Sequence, residues 1–90
     1  MRDEEKAILE QESAIGSKAE LAYNGFLKPF IMKKRQDLFN NFCDASISDV
    51  EVLLEAKRLV KVIDQMEEEV LIVIETGKLA RISLGEQDEN

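Results

Sequence analysis

The stretch SDVEVLLEAKRLVKVIDQMEEEVLIVIETG, residues 48–77, decides the fold. Ser48-Asp-Val-Glu51 has the form of a capping box, in which the serine hydroxyl accepts from the Glu51 amide and the glutamate reaches back to the Ser48 amide. Ile47 and Val52 flank it at the two positions of a hydrophobic staple. From Val52 the apolar residues recur at Ala56, Leu59, Ile63, Met66, Val70 and Val73. This four-three alternation holds one apolar stripe on one side of a helix for about six turns. The pattern predicts a helix from Asp49 to Thr76, roughly 42 Å long. Gly77 is its left-handed stop, and Lys78 and Arg81 sit where the helix dipole favours positive charge.

Upstream, Pro29 suits the first turn of a helix, where its missing amide proton costs nothing. That helix is expected over 29–43, with Ile31, Leu38 and Phe42 on one face and Phe30 and Phe39 beside it. Residues 44–47 are too short for anything but a turn, so the two helices lie antiparallel. Ser17-Lys-Ala-Glu20 is a second capping box, starting a short helix over 18–27 that Asn24-Gly25 closes. Residues 1–16 form an acidic N-terminal helical segment, frayed or dependent on a partner, and Gly16-Ser17 interrupts it. Residues 78–90 read as a short extended arm, Leu79 to Leu84, followed by a mobile acidic tail. The fold class is therefore all-α. A helical hairpin of a short aromatic helix and a long amphipathic one, with an N-terminal helix, forms a core over 17–77 and assembles as an oligomeric bundle.

The oligomer follows from length. The helix from Pro29 is about half as long as its neighbour, so the stretch from Met66 to Ile74 needs a further cover, either the first segment folding back or another copy of the chain. Val70-Leu-Ile-Val-Ile74 is apolar nearly all round when read as helix, and the heptad passes through it without a turn signal, which argues against a buried strand. Leu59, Ile63, Met66, Val70, Val73 and Ile74 form the expected self-association or partner surface. Ninety residues make one small domain, often marginal as a monomer.

The composition closes off most chemistry. Histidine is absent, and with it the commonest general base and zinc ligand. The lone Cys43 has no disulfide partner and reads as a small residue near a helix end. Glu67-Glu-Glu69 spreads its carboxylates about 100° apart around a helix and reads as a solvated face. Asp64 and Glu68 share a side without a matching ligand pair elsewhere. No cofactor, no metal and no enzymatic activity are expected. No run approaches a membrane span, and Met1-Arg-Asp-Glu-Glu-Lys6 lacks the features of a signal peptide, so the expected location is the cytoplasm.

The net charge of −7 is uneven: −3 over residues 1–20, +1 over 21–49 and −5 over 50–90. Lys33, Lys34 and Arg35 form the basic cluster, a contact for phosphate or an acidic partner on one reading and an ordinary charged helix face on the other. Broad nucleic-acid binding is disfavoured by the overall balance.

From about Glu20 to Ala80 the chain resembles a group of short proteins of tailed bacteriophages and prophages. The resemblance rests on Phe42 as the aromatic end of the first helix, Asp49 at the turn exit, and Glu75-Thr-Gly-Lys-Leu-Ala80 at the close of the second. It departs from the group's pattern at Asn24-Gly25, where Asn-Pro is usual, and at Ala45-Ser46, where Thr-Pro is usual. It implies a viral protein in the host cytoplasm or incorporated in the virion, serving capsid assembly or genome packaging by contact with itself and with phage structural or packaging proteins. It carries over no catalytic residue. Two other functions stay open: a small acidic inhibitor of a host nucleic-acid-binding or defence protein, and a small-terminase-like DNA binder using Lys33, Lys34 and Arg35.

Overall fold

The computed structural model describes residues 2–89, and side chains through residue 85. It is a two-armed helical hairpin, 64 × 21 × 14 Å, with no strand among the described residues. The first arm runs through α1 (Asp3–Ala22), a π-helical turn (Tyr23–Leu27) and α2 (Lys28–Asp44). A five-residue turn over 45–49 leads into the second arm, the 40-residue α3 (Val50–Glu89). At 1.5 Å per residue α3 is about 60 Å long and accounts for the length of the whole molecule.

The N-terminal segment is helix from Asp3, and it folds back on α3 rather than fraying. Gly16-Ser17 does not interrupt α1, and Ser17 caps nothing: its hydroxyl accepts a hydrogen bond from Arg81 on α3. The expected end at Asn24-Gly25 is instead the π turn, through which the chain stays helical with no positive φ. The reason lies in spacing. Tyr23, Leu27, Ile31 and Arg35 all face α3, four residues apart, whereas three α-helical turns hold about 10.8 residues. One wide turn absorbs the extra residue and keeps both halves of the arm on the same side. It also precedes Pro29, whose missing N–H would otherwise break an α-helical ladder at that point.

Gly77 is not a stop either. It lies in mid-helix with ordinary dihedrals, and the residues expected as an extended arm, Leu79 to Leu84, are helical. The tail expected to be mobile, residues 85–90, continues α3 as far as Glu89, while the side chains of 86–89 and the whole of residue 90 lie outside those described. The absent side chain of Gly77 serves close approach. A Cβ on Gly16 would stand 2.6 Å from the Gly77 Cα and 3.1 Å from the Val73 carbonyl oxygen, and one on Gly77 would stand 2.7 Å from the Gly16 Cα and 3.0 Å from the Glu12 carbonyl oxygen. The two arms touch backbone to backbone, a geometry in which Cα–H groups point at carbonyls across the interface.

At the start of α3 the cap is displaced by one residue. Asp49, not Ser48, accepts from the Val52 amide at 3.3 Å, while Ser48 pairs with the Ser46 hydroxyl at 2.8 Å. Ile47 is 92% exposed, so no staple forms with Val52. The buried seam is also rotated from the stripe read in the sequence. It runs Leu53, Ala56, Val60, Ile63, Glu67, Val70, Ile74 and Gly77, sharing Ala56, Ile63 and Val70 with that stripe and leaving Val52, Leu59, Met66 and Val73 outside. Two heptad stripes overlap on this helix, and contact with the first arm selects the one that brings Gly77 to Gly16.

Gly→Ala changes should separate by position. Gly16→Ala or Gly77→Ala must push two backbones apart and should lower the melting temperature, despite gaining up to about 1 kcal/mol of helix propensity. Gly25→Ala and Gly85→Ala meet open space and should gain that propensity, raising the melting temperature. Thermal unfolding followed by circular dichroism distinguishes the two classes.

Candidate interaction surfaces

Three features of the hairpin concern function: a polar clasp, an exposed apolar seam and a groove. The clasp ties α3 to the π turn and to α2. Arg35 donates to Asp64 at 2.7 Å and to Glu67 at 2.8 Å, and the Tyr23 hydroxyl donates to the second Glu67 oxygen at 3.0 Å. The Glu67 side chain is 18% exposed, against 55% for Asp64, so the Glu67 contact is the better shielded of the two ion pairs. The Arg35 guanidinium holds the Glu67 carboxyl below its ordinary range, outweighing the opposite effect of burial, and the Tyr23 hydrogen bond acts in the same direction. Burial, together with donation to that carboxylate, raises the Tyr23 phenol.

The solvated acidic face expected at residues 67–69 therefore holds for Glu68 and Glu69 but not for Glu67, which is a seam residue. The Lys33-Lys34-Arg35 cluster is split as well. Arg35 is spent on intramolecular pairs, Lys34 lies over the Phe30 ring at 5.6 Å, and Lys33 is exposed. Among the described residues no group of three His, Cys, Asp or Glu side chains is arranged to hold a metal, and no helix is long and apolar enough to cross a membrane.

Of the six residues expected at an association surface, Ile74 is 5% exposed against the first arm, and Ile63 and Val70 are half-buried there. Leu59, Met66 and Val73 face outward, 41%, 60% and 38% exposed. They stand seven residues apart in one line along α3, flanked by exposed Val62 and Ile72. Ile15 of α1 borders the same line, sharing a shallow depression with Ile72 and Val73.

Near the turn, an open groove of about 640 Å³ lies between the arms. Leu38, Phe39 and Phe42 of α2 form one wall and Leu53, Leu54 and Val60 of α3 the other, with Arg35, Lys57 and Lys61 at the rim. Sequence periodicity placed Leu38 and Phe42 on one face of their helix and gave no sign of a groove there. The segmental charge gave no clue to the rim either, since Lys57 and Lys61 lie in the stretch that sums to −5.

Compared with protein-family models, curated proteins and solved structures, the chain matches none. The surfaces themselves carry the functional reading.

The clasp gives a defined pH response. A carboxylate whose folded pKa is depressed contributes stability above its unfolded value, and loses that contribution as pH falls through the folded pKa. Glu67→Gln should lower the melting temperature most above the ordinary glutamate value of 4.5, with the gap to wild type closing as the pH is taken progressively lower. A gap independent of pH would mean that the carboxylate charge is not what Arg35 and Tyr23 hold.

Proposed function

We propose that this protein is a non-enzymatic assembly factor that works by protein–protein contact through the exposed seam of α3. The observation that carries this reading is how little of its apolar surface the hairpin covers. Four apolar residues are buried among those described, two of them alanines, while twenty large apolar side chains are exposed. Two helices share one seam and cannot enclose a core, and such continuous exposed apolar surface marks an association site. Leu59, Met66 and Val73 are the central contacts, with Val62 and Ile72 beside them. A pair of hairpins joined along this line makes a four-helix bundle, in which heptad spacing supplies knobs for a facing helix.

The setting that fits best is the one implied by the resemblance to small tailed-phage proteins: capsid assembly or genome packaging, in the host cytoplasm or within the particle, with phage structural or packaging proteins as further partners. The engagement of Arg35 with Asp64 and Glu67 weakens the DNA-binding alternative, because one of its three cations is already neutralised.

Leu59→Glu/Met66→Glu tests the seam. In high salt, where charge contacts are screened, the wild type should run as an oligomer and the double variant as a monomer in light scattering, with helix content retained. An unchanged mass for the variant would show that the seam does not hold copies together.

A further inference from the structure

The groove near the turn and the start of α1 are complementary in three respects. The first is charge. Residues 28–61, the turn half of the hairpin, contain seven Lys/Arg against five Asp/Glu, while the rest of the chain contains five against fourteen. The groove is lined by Lys57, Lys61 and Arg35, the last already paired with Asp64 and Glu67, and by no anion. At the opposite end, Ile8 lies on a helix face with Glu4, Glu5 and Glu12, at four and three residues before it and four after.

The second is polarity. The groove walls are leucine, valine and phenylalanine, with Phe39 61% and Phe42 50% exposed, so they stand uncovered within the hairpin. On α1, Ile8 and Ile15 project outward, 54% and 48% exposed, as an apolar ridge between acids. The third is length. Ile8 and Ile15 are seven residues apart, about 10.5 Å along the helix, and the α2 wall from Arg35 to Phe42 spans the same seven residues.

We propose that the groove receives the N-terminal stretch of α1 from a second copy, Ile8 and Ile15 seated between Phe39, Phe42 and Leu54, and Glu4, Glu5 and Glu12 against Lys57 and Lys61. Ridge and groove lie at opposite ends of a 64 Å rod, so one chain cannot satisfy its own groove. The contact joins two different patches and is heterologous. Copies add head to tail, closing into a ring if the rotation permits and growing into a filament if it does not. This rests on the reading of the protein as a self-assembling factor, but uses the groove and the outer face of α1, where Ile15 alone borders the Leu59–Met66–Val73 line.

The test is made in the Leu59→Glu/Met66→Glu background, where the seam is disabled. At low salt this chain should still associate in a concentration-dependent way, and added salt should dissolve the association. Adding Lys57→Glu/Lys61→Glu should give a monomer, and adding Ile8→Asp/Ile15→Asp should also give a monomer, both with unchanged helix content. Mixed one to one, these two monomers should form a dimer that grows no further, since the first keeps an intact ridge and the second an intact groove. A background chain that is monomeric at low salt overturns the head-to-tail contact and leaves the seam untouched. Association that survives either added pair of changes, or a mixture that stays monomeric, overturns it as well.

Discussion

The backbone contact of Gly16 with Gly77 is the constraint from which the rest of the hairpin follows. Direct contact between two helix backbones is open only to residues without side chains, and it fixes both the rotation and the axial register of α3 against the first arm. Once those are set, the side of α3 turned inward is determined along its whole length. Leu53, Val60, Glu67 and Ile74 go in; Val52, Leu59, Met66 and Val73 go out. At the other end of the hairpin phenylalanine and leucine stand in place of glycine, and a groove lies between the helices.

The polar clasp secures the same register by a different means. Glu67 occupies a seam position where a heptad reading expects an apolar residue, and it is tolerated because Tyr23 and Arg35 together satisfy its two oxygens. A slip of one helical turn would leave a partly buried carboxylate without donors, which is costlier than the loss of an equivalent apolar contact. The π turn belongs to this arrangement, because it carries Tyr23 and Arg35 to the same side of the first arm despite their twelve-residue separation. An irregular helical turn here lets two polar side chains converge on one carboxylate.

Function follows from what this architecture leaves uncovered. A hairpin has one internal seam, and α3 offers apolar residues for more than one. The excess emerges as a line on α3 and as a groove beside the turn, one uncharged along its centre and the other ringed by cations. Surfaces so different in charge differ in how strongly salt weakens any contact they make.

Much of the fold was legible in the residues. The periodicity of residues 52–73, the turn signals around Asp49 and the absence of strand patterns are local properties, and they specify two antiparallel helices. The alternation alone, however, favoured the uninterrupted apolar stripe through Leu59 and Met66, because Glu67 breaks the one that packing buries, and the two share Ala56, Ile63 and Val70. Nor could local sequence tell that Gly77 would serve contact rather than termination, or that Gly16 would not end a helix. A glycine's missing side chain permits both uses, and only a second backbone at van der Waals distance decides between them. For the candidate surfaces, residue type nominated the long apolar line, while the split between its inward and outward members, the recruitment of Glu67 and the opening of the groove came from packing. The sequence by itself determined helix, hairpin and charge polarity, because these depend on neighbours along the chain. Which faces remained available to another protein was decided by the tertiary structure, because it depends on the distance between two helices that only their glycines allow to touch.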